Sequence, residues 1–262
     1  MLGIIGGSGL YSLSSLELAG EIKLETPYGA PSGTYKHYKY NGESIYMLAR
    51  HGSDHSIAPH RVNYRANIDG FAQLGVGHIL AFTAVGGIAD WLKPGDIVVP
   101  DNGIDMTNSR ASTYFDEGEV RHIDFTTPFC ESLREKLIAI MNNSFTLYKN
   151  KGVYVCTNGP RLETAAEIRA YKQLGADIVG MTLFPECVLA REKGICYVNV
   201  STVTNYAAGV RPALLKFDDI KGVMGENSET IAKISVGLAG ARLDKTCRCD
   251  ENLEGAKANG NT

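Results

Sequence analysis

No stretch of the 262-residue sequence approaches the roughly 20 apolar residues that span a bilayer, so no transmembrane helix is expected. The first residues, Met1-Leu2-Gly3-Ile4-Ile5-Gly6-Gly7, lack the basic start and longer apolar core of a secretion signal, and the expected location is the cytoplasm. An excess of one charge is also missing. With 26 basic and 29 acidic residues the net charge is −3, which gives no reason to expect nucleic acid as a partner. Six cysteines are too few for a secreted disulfide scaffold, and in a reducing compartment they should stay thiols. Cys247-x-Cys249 stands apart, in the polar stretch 244–262, which is expected to fray. The pair reads first as two surface thiols and second as a redox or disulfide pair. His51, His55 and His60 have no cysteine or carboxylate at a recognised ligand spacing, so no metal is expected there.

What is present is ordinary globular composition, 44% hydrophobic and 21% charged, with 29 glycines available for backbone loops. Short apolar runs at 2–5, 44–49, 78–82, 96–100, 152–156, 177–181 and 195–202 read as strands. Helical spacing appears at 63–74, with Asn63 as N-cap, and at 131–141, 163–174, 185–192 and 217–243, the last open to breaks at Gly222 and Gly225. Alternating strands and helices imply an α/β fold, with a mixed central sheet, in part barrel-like, flanked by helices. One domain is expected over 1–243, followed by the polar tail 244–262.

Ligands of such folds sit at the C-terminal ends of strands. That rule selects Gly6-Gly7-Ser8-Gly9, Arg50-His51, Thr83-Ala84, Met181-Thr182 and Thr204-Asn205, each of which follows or ends an expected strand. Glycine amides, hydroxyls and one guanidinium make a metal-free cradle for phosphate. The glycine turn is neither a Walker A loop, a dinucleotide fingerprint nor a nucleophile elbow, because the later lysine and glycine positions are not filled.

The chain resembles the purine nucleoside phosphorylase and methylthioadenosine phosphorylase family. The resemblance rests on Gly-Gly-Ser-Gly at 6–9, Arg-His-Gly at 50–52, Asn-Tyr-Arg-Ala-Asn at 63–67, Thr-Ala-Val-Gly-Gly at 83–87, Gly-Pro-Arg-Leu-Glu-Thr at 159–164, Gly-Met-Thr-Leu-Phe-Pro-Glu at 180–186 and Thr-Asn-Tyr at 204–206. It implies a homotrimer, or a dimer of trimers, that uses no cofactor and takes inorganic phosphate as co-substrate to displace a purine from a ribosyl carbon. By position, Ser8, Arg50, His51, Thr83, Ala84 and Thr182 would bind phosphate and Met181 would face the ribose. Glu163 and Asn205 would read the base as the catalytic pair, with Leu162, Tyr206 and Ala207 around it and His122 near the 5′ end.

Two positions bear on which purine is cleaved. The adenine-cleaving relatives resemble Thr-Asp-Tyr-Asp near the base, with a small hydroxyl residue in place of Glu163; this chain has Glu163, Asn205 and Ala207. A carboxylate accepts the N1 proton of hypoxanthine or guanine but would face the bare N1 of adenine unpaired, at a cost of roughly 1–3 kcal/mol. A 6-oxopurine nucleoside is therefore the expected substrate, inosine, guanosine or methylthioinosine. Methylthioadenosine phosphorylase and a catalytically dead nucleoside-binding module stand as alternatives. Leu162 replaces a stacking aromatic common in relatives, and no histidine follows His122, which leaves the 5′ preference open.

Overall fold

The computed structural model describes residues 1–7, 13, 16–144, 147–212 and 217–251. Its strands are β1 (Leu2–Gly6), β2 (Glu17–Ile22), β3 (Tyr35–Tyr40), β4 (Glu43–Ala49), β5 (His78–Gly87), β6 (Ile97–Val98), β7 (Asn102–Asp105), β8 (Tyr148–Lys149), β9 (Val153–Cys156), β10 (Ile178–Gly180) and β11 (Cys196–Tyr206). Its α-helices are α1 (Tyr64–Gln73), α2 (Glu131–Ser144), α3 (Ala165–Gln173), α4 (Glu186–Glu192), α5 (Phe217–Glu226) and α6 (Ser228–Ala239). No helix among the described residues is long and apolar enough to cross a membrane.

The strands form one mixed sheet in the order β2-β3-β4-β1-β5-β10-β9-β7, with β11, β6 and β8 joined to it through β5. The long strand β5 is the branch point. Residues 78–81 pair in parallel with β1, Gly86 and Gly87 pair antiparallel with β10, and β11 runs in parallel along its whole length. The sheet forks there and does not close, so the barrel-like character expected from sequence is limited to this branching.

Both faces of the central strands are buried, which is why β1 and β5 are largely apolar, while β11 alternates valines with small polar residues that are themselves buried. Alternate residues feed two cores. Ile5, Ile79, Ala81 and Tyr197 pack with α1 and α4 through Ile68, Phe71, Leu189 and Ala190. Ile4, Leu80, Phe82 and Val198 pack on the other face with α2 and α6 through Leu133, Leu137, Ile234 and Leu238. Each of the Ile, Leu, Val and Phe side chains among these, fully buried, contributes about 1.5–3 kcal/mol.

Helix starts are chemically specified. Asn63 accepts from the Ala66 amide, as its place in the sequence predicts. α3 begins at Ala165 rather than 163; Thr164 caps it in a capping box with Glu167, which leaves Glu163 free of the helix. The 217–243 helix is two helices, and they part at Asn227 rather than at Gly222 or Gly225, which lie within α5. The described part of the tail is not frayed. Lys245 Nζ donates to the Gly194 carbonyl at 2.8 Å, the Thr246 and Ser132 hydroxyls meet at 2.8 Å, and Cys249 is buried. Cys249 is therefore not a surface thiol.

Candidate active site

A cleft of about 420 Å³ opens where β1, β4, β5, β10 and β11 meet. Arg50 follows β4 directly, and its amide continues the β1 pairing by donating to the Gly6 carbonyl at 3.0 Å. Its side chain is fully buried and fixed on three sides. Nε and Nη2 donate to the two oxygens of Glu186 at 2.6 and 2.7 Å, and Nη1 donates to the Phe82 carbonyl at 3.1 Å. Burial opposes the charged guanidinium, but the adjacent Glu186 carboxylate outweighs it and holds Arg50 firmly protonated. A guanidinium has five N–H donors. Three are used among the described residues, so two on Nη1 and Nη2 remain for a ligand. Gly7 makes room for this arrangement, since a Cβ there would sit 2.7 Å from the Phe82 carbonyl and 3.3 Å from Arg50 Nη1. Tyr197 adds a hydroxyl donor to Glu186 Oε1 at 2.8 Å.

His51 lies next along the wall. Its Nδ1 is 2.8 Å from the Ile57 carbonyl, so Nδ1 carries the proton and Nε2 is the acceptor. Burial, and then the Arg50 charge, lower its pKa to about 4. The folded protein thus binds a proton at His51 less well than the unfolded chain does. Stability from this residue is complete above pH ~6.5 and is lost as pH falls toward 4, by up to about 3 kcal/mol. Urea unfolding at pH 7 and pH 4.5 should show this loss in the native sequence and a smaller one in His51→Gln; equal losses would contradict the assignment.

The strand expected to end at Thr83 continues to Gly87, so Thr83 and Ala84 lie mid-strand on β5. Thr83 Oγ1 is 2.9 Å from Ser201 Oγ and 3.3 Å from Asn199 Oδ1, both buried on β11. The antiparallel run of β10 against Gly86 and Gly87 carries Thr182 back toward this pair. Gly180 allows that approach, because a Cβ there would collide with the Tyr154 hydroxyl.

The opposite wall carries the carboxylate and the amide. Gly159 takes φ +60, and a Cβ there would sit 2.5 Å from Met181 Sδ; the turn then brings Leu162 and Glu163 to the cleft. Glu163 Oε1 accepts from the Thr157 hydroxyl at 2.7 Å, which leaves Oε2 for a ligand. β11 carries a bulge between Val203 and Asn205, where Thr204 is the extra residue. Such a bulge re-aims the side chain that follows it. Asn205 Oδ1 accepts from Thr204 at 2.9 Å and Nδ2 donates to the Tyr206 carbonyl at 2.9 Å, so one amide N–H is left over.

Arg50, His51, Thr83, Ala84, Met181, Thr182, Leu162, Glu163, Asn205 and Ala207 all line this one cleft. Ser8 lies outside the described residues. Tyr206 is half-buried, its ring 5.3 Å from the Arg211 guanidinium, and neither it nor the exposed His122 is among the lining residues. Sequence reasoning had not found Glu186, Thr157, Asn199 or Ser201, the residues that fix the lining side chains. The one available signal was Glu186 at the end of the 180–186 segment.

The Phosphorylase superfamily model matches residues 1–239. A 6-oxopurine nucleoside phosphorylase from Pyrococcus furiosus is 44% identical, over 97% of this chain and 98% of its own length. The chain belongs to the Phosphorylase superfamily. An S-methyl-5′-thioadenosine phosphorylase from Hyperthermus butylicus, also 44% identical, covers 97% of the chain and 94% of its own length. Among solved structures, a methylthioadenosine phosphorylase from Schistosoma mansoni in complex with adenine superposes with a TM-score of 0.93 at 32% identity, covering 98% of each chain. Phosphorylase-superfamily membership and the branched α/β sheet agree with the fold and family expected from the sequence.

Proposed function

We propose that the chain is a 6-oxopurine nucleoside phosphorylase acting in purine salvage in the cytoplasm as a homotrimer, without a cofactor. It would cleave inosine or guanosine, or their 5′-methylthio forms, with inorganic phosphate. The products would be the free base and the corresponding ribose 1-phosphate. The observation that carries this reading is that Glu163 and Asn205 line the same cleft as Arg50, Thr83 and Thr182. A carboxylate and an amide suited to a lactam edge thus share one space with an arginine and hydroxyls suited to a small dianion.

The chemistry follows from these groups. The two free Arg50 donors and the Thr83 and Thr182 hydroxyls hold the dianion. The P–OH of that dianion donates to His51 Nε2, which is an acceptor in the tautomer described above. A phosphate oxygen bonds to C1′ as the C1′–N9 bond breaks, the electron pair leaves on the purine, and the proton of the former P–OH ends on the released base. Positive charge on the sugar meets the dianion. Negative charge on the purine meets the spare Asn205 N–H at N7, while Glu163 Oε2 accepts from N1–H. A preorganised donor of this kind is worth roughly 3–4 kcal/mol.

Turnover of inosine, guanosine, adenosine and their methylthio forms, each with and without phosphate, tests the reading. Fast phosphate-dependent cleavage of the oxopurines is expected. Preference for adenosines would favour the methylthioadenosine reading suggested by the Hyperthermus relative, and binding without turnover would favour a nucleoside-binding module.

A further inference from the structure

We propose that Cys130, Cys196, Cys247 and Cys249 form a tetrathiolate site for a divalent metal ion of the zinc class, which fastens the 244–251 segment to the core. Among the described residues these four thiols form a cluster in which every sulfur lies within 4.8 Å of every other. Cys196 and Cys247 are 3.2 Å apart. Four sulfurs at about 2.3 Å from a central zinc stand roughly 3.8 Å from one another, within the range seen here. At 3.2 Å the Cys196–Cys247 pair stands well beyond the roughly 2.0 Å of a disulfide bond, and all four cysteines are free thiols.

The ligands come from three separate parts of the fold, and each is held in place. Cys130 immediately precedes α2, and its amide donates to the Tyr197 carbonyl at 3.0 Å. Cys196 opens β11, and its amide donates to the Gly77 carbonyl at 3.0 Å. Cys247 and Cys249 lie in the docked tail, which Lys245, Thr246 and Ser132 already tie to the core. Cys130, Cys196 and Cys249 are buried and Cys247 is partly so. All four cluster with the apolar side chains of one core. This is a closed structural site, with no open position for substrate.

His78 is a second, independent pointer. It is the register partner of Cys196 on the neighbouring parallel strand, so the two side chains share a face of the sheet. It is 5% exposed, and its Nδ1 has no hydrogen-bond partner among the described residues. A donor beside metal-bound thiolates would give this nitrogen a role, since groups that hydrogen-bond to ligands orient them and tune the metal. Binding a divalent ion releases four thiol protons and leaves the cluster with two net negative charges. Lys136, whose Nζ donates to the Arg242 carbonyl, brings positive charge to the same segment, while Lys245 is paired with Asp250 at 2.6 Å. None of the four cysteines lines the cleft between β1, β4, β5, β10 and β11, so the site is structural rather than part of the reaction.

The test uses the full chain without a histidine tag, expressed with zinc and purified under reductant. Elemental analysis should find one zinc per chain. Stripped, reduced protein titrated with cobalt(II) should saturate at one equivalent, with intense thiolate-to-cobalt charge transfer and the visible bands of tetrahedral sulfur coordination. A Cys247→Ser/Cys249→Ser double variant should lose that spectrum. His78→Phe should keep it while binding cobalt about 10- to 100-fold more weakly. If the double variant does not fold, the native titration decides alone. Metal-free protein whose mass is lower by four hydrogens would overturn the proposal in favour of two disulfides. Reduced protein that gives no cobalt spectrum would overturn it as well. Neither result bears on the nucleoside assay.

Discussion

Glu186→Gln should destabilise the protein and raise its phosphate requirement while leaving nucleoside binding nearly unchanged. Arg50 and Glu186 are both 0% exposed and meet through two charged hydrogen bonds, so neither charge can turn to water when the other is lost. Breaking a buried pair from one side costs about 3–5 kcal/mol because the remaining charge is left uncompensated. The guanidinium would keep its bond to the Phe82 carbonyl but lose the carboxylate that sets its plane. We expect the KM for phosphate to rise at least about 10-fold, with a smaller fall in kcat, the pattern of a positioning residue. Equilibrium unfolding and phosphate titrations at saturating inosine would measure both effects. A purely structural role predicts the stability loss with KM unmoved, and that split would sink the assignment.

The second large effect lies on the base. Glu163→Gln replaces an acceptor-only carboxylate with an amide whose Nε2 would face N1–H of an oxopurine. We expect kcat/KM for inosine to fall about 10²–10³-fold, with adenosine little affected. Asn205→Asp should shift selectivity in the same direction and further. A protonated or water-bridged carboxyl at that position suits the adenine edge, so activity on adenosine should rise while inosine falls. Kinetics on the two nucleosides with each variant give four numbers, and the ratios decide. Unchanged selectivity in both variants would mean that neither side chain reads the base. The Thr157 hydroxyl on Glu163 Oε1 sharpens the expectation, because it commits one carboxylate oxygen and leaves the other to the purine.

The fold was legible where strands are buried on both faces. β1, β5 and β9 are rich in Ile, Val, Leu, Phe and Ala, and β11 repeats valine between small polar residues, patterns that suit buried strands. β2 and β3 were not legible. Glu17–Ile22 is mostly exposed and Tyr35–Tyr40 alternates lysine with aromatics, so an antiparallel edge written this way carries little apolar signal. The split at Asn227 was missed for a related reason: both helices are amphipathic, so their joint pattern reads through the break.

At the site, the strand-end rule located the cleft and the resemblance named its residues. What neither could supply was pairing over long sequence separations. Arg50 meets Glu186 across 136 residues, and Thr83 meets Ser201 across 118. Cys-x-Cys looked like two surface thiols because the other two cysteines of its cluster stand at 130 and 196, and the sheet alone brings them together. The tail was read as polar and loose for the same reason: its charged residues conceal the one side chain, Cys249, that is buried.

A crystal soaked with sulfate and hypoxanthine should show the proposed arrangement, with the anion within hydrogen-bond reach of Arg50, Thr83 and Thr182, and hypoxanthine with N1 toward Glu163 Oε2 and N7 toward Asn205 Nδ2. An anion bound elsewhere, or a base turned with its lactam edge away from Glu163, would contradict it.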